Sequence, residues 1–123
     1  MEIIDNSLIP KSNVHYSPCI VHNATVYISG LLPVDAVTKK IPEGIEAQTL
    51  MVLDKIDAKV KAAGSSRQKI IQVRIYLSDI EDWGKVDGIY RTFFGEHKPV
   101  RCVVPVGKLH HGCLIEAEAI ADK

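Results

Sequence analysis

The spacing of hydrophobic positions changes several times along this chain, and each change marks an element. Two short runs, Cys19-Ile20-Val21 and Thr25-Val26-Tyr27-Ile28-Ser29, flank His22-Asn23-Ala24. Asparagine favours a tight turn, so the pattern predicts a hairpin closed by Ser29-Gly30. From Pro33 to Pro42 the polar residues Asp35, Thr38, Lys39 and Lys40 read as a surface loop. Over 44–63, Ile45, Thr49, Leu53, Ile56, Val60 and Ala63 recur every three or four positions, which predicts an amphipathic helix with Gly64 as its C-terminal stop. From Ile71 the period falls to two: Ile71, Val73, Ile75 and Leu77 alternate with Gln72, Arg74, Tyr76 and Ser78, as in a strand. Ser78, Asp79 and Asp82 then offer caps for a second helix with the stripe Trp83, Val86, Tyr90, Phe93 and Phe94, ended by Gly95. The β-branched run Pro99 to Val106 reads as a strand whose Pro105 confines it to an edge, bulge or terminus, and Cys113 to Ala121 forms the last strand.

Hairpin, helix, strand, helix, strand, strand is the order of an α+β domain over 1–123, with two helices on one face of a mixed sheet. The opposite face then lacks cover. Tyr27, Val103 and Leu114 are expected to need more than two helices can provide, and a partner subunit is the economical cover. The same strands carry two charges in apolar surroundings, Arg101 within Val100-Arg101-Cys102-Val103-Val104 and Glu116 within Leu114-Ile115-Glu116-Ala117-Glu118. Charges withdrawn from water demand a partner or a ligand.

Composition narrows the possible partners. The 123 residues hold 15 Lys plus Arg and 15 Asp plus Glu, a net charge of zero. The cations are interspersed with acids, with no basic face for nucleic acid or an anionic membrane. Three cysteines, Cys19, Cys102 and Cys113, without a CxxC pair argue against a disulfide framework. No run approaches the ~20 apolar residues of a membrane span, and Met1-Glu2-Ile3-Ile4-Asp5 lacks the basic start of a secretion signal. A cytoplasmic location is the expectation.

Arg101 suits a carboxylate, since a planar guanidinium offers two parallel hydrogen bonds and keeps its charge. The alternative is an ion pair with Glu116. Glu116 could itself act as general acid or base on a water, a role compatible with Arg101 holding an anion. Cys102 beside Arg101 invites a nucleophile reading, because a nearby cation favours the thiolate. Neighbouring strand residues point to opposite faces, however, and Cys102 reads better as a buried structural thiol. His110-His111-Gly112-Cys113 contains metal-ligand types but has no second cluster to complete a site. Tyr16 reads either as a loop aromatic or as a hydroxyl for a ligand. Dinucleotide, P-loop, zincin and nucleophile-elbow signatures are missing from the sequence.

Over nearly its whole length the chain resembles the Rid (reactive intermediate deaminase, formerly YjgF-type) family. The resemblance lies in Val26 to Gly30, Ala47-Gln48-Thr49, Ala62-Ala63-Gly64, Val73 to Asp79, Val86 and Tyr90 with Phe93-Phe94-Gly95, Pro99-Val100-Arg101, and Ile115 to Ala121. It implies a chorismate-mutase-like subunit in a homotrimer with ligand sites in clefts between subunits. It further implies cofactor-independent hydrolysis of 2-imino acids and their enamines to 2-oxo acids and ammonia. Arg101 then stands at the arginine that clamps the substrate carboxylate, and Glu116 at the glutamate that positions or activates water. Tyr16 and Ser29 stand at site-lining positions, and Gly30 and Leu31 at a loop whose backbone approaches the ligand. Val103 stands where many members have a cysteine whose main chain contacts the ligand.

The chain departs from the family pattern at Val14-His15 in place of Gly-Pro, at Leu31 in place of Gln, at Asp87 in place of a helix asparagine, and at Pro105. Leu31 and Asp87 are therefore expected to redirect side-chain preference or to lower activity on simple imino acids. Two rival expectations share the cleft: a non-catalytic trimer that binds small carboxylates, and a deaminase for a larger, aminomuconate-like amino acid. A neutral chain gives no physical support to the nuclease or translation-inhibitor roles attributed to some relatives.

Overall fold

The computed structural model describes residues 1–4 and 15–123. The strands are β1 (Glu2–Ile3), β2 (Cys19–His22), β3 (Thr25–Leu31), β4 (Ile70–Leu77), β5 (Val100–Pro105) and β6 (Ile115–Asp122), and the helices are α1 (Ile45–Ala62) and α2 (Trp83–Phe94). They form one sheet in the order β1-β2-β3-β6-β4-β5. All neighbours are antiparallel except β4 and β5, which α2 joins as a parallel crossover. β1 is too short to leave a period in the sequence.

The hairpin between β2 and β3 turns at Asn23 and Ala24, both with positive φ (50° and 60°), the mirror-image turn that matches strand twist. α1 stops where expected, with Gly64 at φ 84°. Val26 and Ile28 of β3, Val73, Ile75 and Leu77 of β4, and Ile115, Ala117, Ala119 and Ala121 of β6 are all buried in one cluster with residues of both helices. Both helices therefore cover the same face. The four alanine and isoleucine positions of β6 leave room for α1 to approach the middle of the sheet.

Four expectations from the pattern need correction. Ile71 points out and Ile70 points in, because the β4–β6 register shifts between Ile70 and Gln72. Trp83 opens α2 half exposed instead of joining the buried stripe. Val103 and Leu114 pack against the helix-side core, so of the three residues thought to need cover only Tyr27 stands exposed on the open face. Cys102 is exposed, because β5 is an edge strand and no described residue covers its open-face side. Pro105 ends β5 on that edge, where its missing N–H costs no ladder bond.

α1 and α2 are tied by Arg67, whose guanidinium lies 3.7 Å from the Phe93 ring centroid and pairs with the buried Asp57 at 3.2 Å. No described helix is long and apolar enough to cross a membrane.

Candidate active site

Register decides which way each candidate faces. Arg101 lies opposite Val73 and Val103 opposite Ile75, both core positions, so Arg101 and Val103 face the helices. Glu116 lies opposite Tyr76 and between the buried Ile115 and Ala117, so it faces the open side. Within one chain the two proposed catalytic groups thus stand on opposite faces of the sheet. An Arg101–Glu116 ion pair within one chain is therefore excluded.

Arg101 instead pairs with Asp87 of α2, its Nη1 donating to Oδ1 at 2.9 Å. Asp87 Oδ2 accepts from Arg91 Nε at 2.7 Å, a helical i,i+4 pair. Both arginines, Arg91 first, hold the Asp87 carboxyl below the ordinary carboxylate range. The Arg101 guanidinium also lies 4.7 Å from the Tyr90 ring centroid and 5.5 Å from that of Trp83. The Tyr90 hydroxyl is buried without a hydrogen-bond partner among the described residues, and burial pushes its pKa up to about 12. Asp87 and the two rings thus hold a guanidinium whose side chain stays 22% exposed. Its other nitrogens have no protein acceptor among the described residues.

On the open face a bulge in β3 builds the second half. Pairing with β6 slips between Ile28 and Leu31, and the extra residue lets both point into the core. The Leu31 side chain is therefore part of the core, while its backbone stays beside the bulge. Ser29 and Gly30 form the bulge. The Ser29 hydroxyl donates to the Pro18 carbonyl at 3.2 Å, fixing the strand that follows Tyr16. A Cβ on Gly30 would collide with the Glu116 carboxylate, so the two residues share one spot. Tyr16 is exposed, in the approach to β2. Val14, of the Val14-His15 departure, lies outside the described residues.

Other chemistry is weaker. His110 and His111 stack on each other at 3.9 Å. A shallow depression on the open face is lined by Tyr27, Gln72, Arg74, Glu118 and Ile120 but by none of the proposed site residues. Its charges are satisfied internally, with Arg74 3.7 Å from Glu118 and the Tyr76 hydroxyl donating to Glu118. Chemistry is better sought at Glu116, which makes no ion pair among the described residues, and at Arg101, which keeps donors that its pair with Asp87 leaves unused.

Two halves of a site, a caged arginine on one face and a glutamate over a glycine bulge on the other, can be compared with known proteins. The Endoribonuclease L-PSP family model matches residues 7–123. A RutC family protein of Pyrococcus horikoshii is 41% identical over 123 residues, covering 99% of this chain and 98% of its own. This chain belongs to the Rid/YjgF family. Among Rid relatives, the 2-iminobutanoate/2-iminopropanoate deaminase of Rattus norvegicus is 31% identical, covering 98% of this chain and 88% of its own. TdcF of E. coli, in a crystal structure with bound serine, superposes with a TM-score of 0.93 at 31% identity, covering 100% of this chain and 99% of that one. The α+β architecture of the Rid chain, a mixed sheet with two helices, matches that structure.

Sequence reasoning did not single out Trp83, Tyr90 and Arg91 as parts of this site. Their signal was the spacing 83, 87, 90, 91, which places all of them with Asp87 on one flank of α2. Arg101, which the fold brings from a separate strand, meets Trp83, Asp87 and Tyr90 of that flank.

Proposed function

We propose that this chain is an imine/enamine deaminase that hydrolyses 2-imino acids to 2-oxo acids and ammonia, at sites shared between subunits of a homotrimer. The observation that carries this reading is the separation of Arg101 and Glu116 on opposite sheet faces, each accessible and each prepared. A small molecule can touch both only if one copy supplies Arg101 and a second supplies Glu116. The exposed Tyr27, Val100 and Val104 on the open face support association of copies there. The deaminase relative and the serine-bound relative support a small amino-acid-like ligand.

The chemistry asks little of the protein. Arg101 holds the substrate carboxylate through donors that Asp87 leaves unused, and Val103, next on the same face, borders that position. Glu116 takes a proton from water as its oxygen bonds to the iminium carbon, giving a carbinolamine. Glu116 then returns that proton to nitrogen and takes up the hydroxyl proton as the C–N bond breaks, so ammonia leaves, the C=O of the 2-oxo acid forms, and the proton left on Glu116 passes to ammonia or solvent. Ser29, Gly30 and Tyr16 line the Glu116 side of the cleft. The residues named here require no cofactor for this sequence of steps.

The test generates imines from several amino acids with an amino-acid oxidase and traps survivors with semicarbazide. Wild type should deplete the trapped imine, and Arg101→Ala should not. Saturable binding of 2-oxo acids with no acceleration of imine loss would establish instead a carboxylate-binding trimer.

A further inference from the structure

The chemistry proposed above uses Arg101 as a carboxylate clamp but leaves unexplained why a carboxylate of the protein already occupies it. Asp87 sits 2.9 Å from Arg101 Nη1 and remains partly open, its side chain 15% exposed. A neutral amide could hold the guanidinium by the same hydrogen bond, though more weakly. A carboxylate also changes what the clamp prefers, since it cancels much of the local positive potential. Arg91, 2.7 Å from the other Asp87 oxygen, leaves this three-charge cluster with one net positive charge, so Asp87 weakens the pull on a lone carboxylate without abolishing it. Trp83 and Tyr90 wall the guanidinium and keep water off one side, which strengthens the field between the charges that remain.

We infer that Asp87 is a specificity-determining residue that makes the Arg101 clamp select zwitterionic ligands, a carboxylate beside a protonated nitrogen, over simple carboxylate anions. The inference rests on the reading of Arg101 as the carboxylate clamp. A ligand whose carboxylate meets the free edge of Arg101 brings its second carbon toward Asp87. If that carbon bears an iminium or ammonium nitrogen, the ligand's two charges complement the Arg101–Asp87 pair. If it bears a ketone, the ligand brings no positive group to answer the Asp87 carboxylate. In the proposed reaction the substrate is the zwitterion and the product is the anion, so the same residue that admits the iminium acid repels the oxo acid. The Asp87 carboxyl is kept ionised by both arginines, so the preference is a fixed property of the site.

Calorimetric titration with 2-aminobutanoate and 2-oxobutanoate at neutral pH tests this, because the two share a carbon skeleton and differ at the second carbon. Wild type should bind the amino acid more tightly than the oxo acid. Asp87→Asn, of equal size, should shift the ratio of the two affinities toward the oxo acid by about tenfold, the scale of one charge-assisted contact. Asp87→Glu should keep the wild-type preference, which separates lost charge from lost structure. An unchanged ratio in Asp87→Asn, or loss of both ligands in parallel, would overturn charge selection. Arg101→Ala distinguishes the two levels: loss of both ligands there upholds the clamp whatever Asp87 does, whereas undiminished binding would overturn the clamp itself.

Discussion

The Glu116 carboxylate occupies the space that a side chain on residue 30 would need. Gly30 is thus required by proximity, since the bulge brings its backbone against the one acidic group proposed to handle water. Gly30→Ala is expected to leave the fold in place, because the obstructing atoms are the far end of a flexible side chain. It should nevertheless cost catalysis about tenfold to a hundredfold by displacing Glu116. Melting temperature and imine-depletion rate, measured on the same sample, check both halves. An unaltered rate would remove Glu116 from the mechanism.

Opposite-face placement makes a sharper prediction. Arg101→Ala and Glu116→Gln should each lower activity on 2-imino acids by about a hundredfold. Equal mixing of the two variants, with dissociation and reassembly, should restore about a quarter of wild-type activity, since a random quarter of interfaces unite an intact Arg101 with an intact Glu116. No recovery would mean that both groups act from one chain.

The hairpin, both helices, the strand order along the chain and the confinement of Pro105 to an edge, bulge or terminus were all legible in the sequence, because each depends on local period or on one residue's backbone limits. Two shifts of register and one tertiary pair were not. The bulge at Ser29-Gly30 and the slip at Ile70-Ile71 each insert one residue into a pairing with β6, and the resulting change of face is set by the partner strand. The Leu31 side chain consequently read as a determinant of substrate preference, and Ile71 as core. The Arg101–Asp87 pair was hidden for a similar reason, since it joins a strand and a helix through tertiary contact. Asp87 stood out only as a departure from the family pattern.

Leu31→Ala should therefore act on stability, not on substrate choice. Removing a buried leucine costs about 2–5 kcal/mol, and denaturant unfolding should register a loss in that range. A changed imine preference at unchanged stability would return Leu31 to the cleft.

The orphaned Tyr90 hydroxyl offers a test of the packing under Arg101. Tyr90→Phe removes a buried polar atom with no described partner, so unfolding free energy should stay level or rise by about 1 kcal/mol. The ring beneath the guanidinium is retained, and ligand affinity should hold. A marked loss of stability would reveal a hydrogen bond to that hydroxyl.

Acid should act through Asp87. Its native pKa is depressed by Arg91 and Arg101, so ionised Asp87 stabilises the fold fully above its unfolded value near ~3.9, and that support is lost as pH falls through the lower native value. Thermal melts of wild type and Asp87→Asn should differ at pH 6 and converge toward pH 2. A gap of constant size across that range would assign the effect to something other than the carboxylate charge.

The central place of β6 has a consequence for how the chain acquires its shape. β3 and β4 share no edge; each is bonded to β6, from Thr25 against Asp122 on one side to Leu77 against Ile115 on the other. The hairpin and the β4-α2-β5 crossover can form from nearby residues, but they join into one sheet only when a strand distant in sequence from the hairpin slides between them. Such long-range closure is slow compared with local structure. Glu116 rides on that strand, so it reaches Gly30 only in the step that completes the sheet.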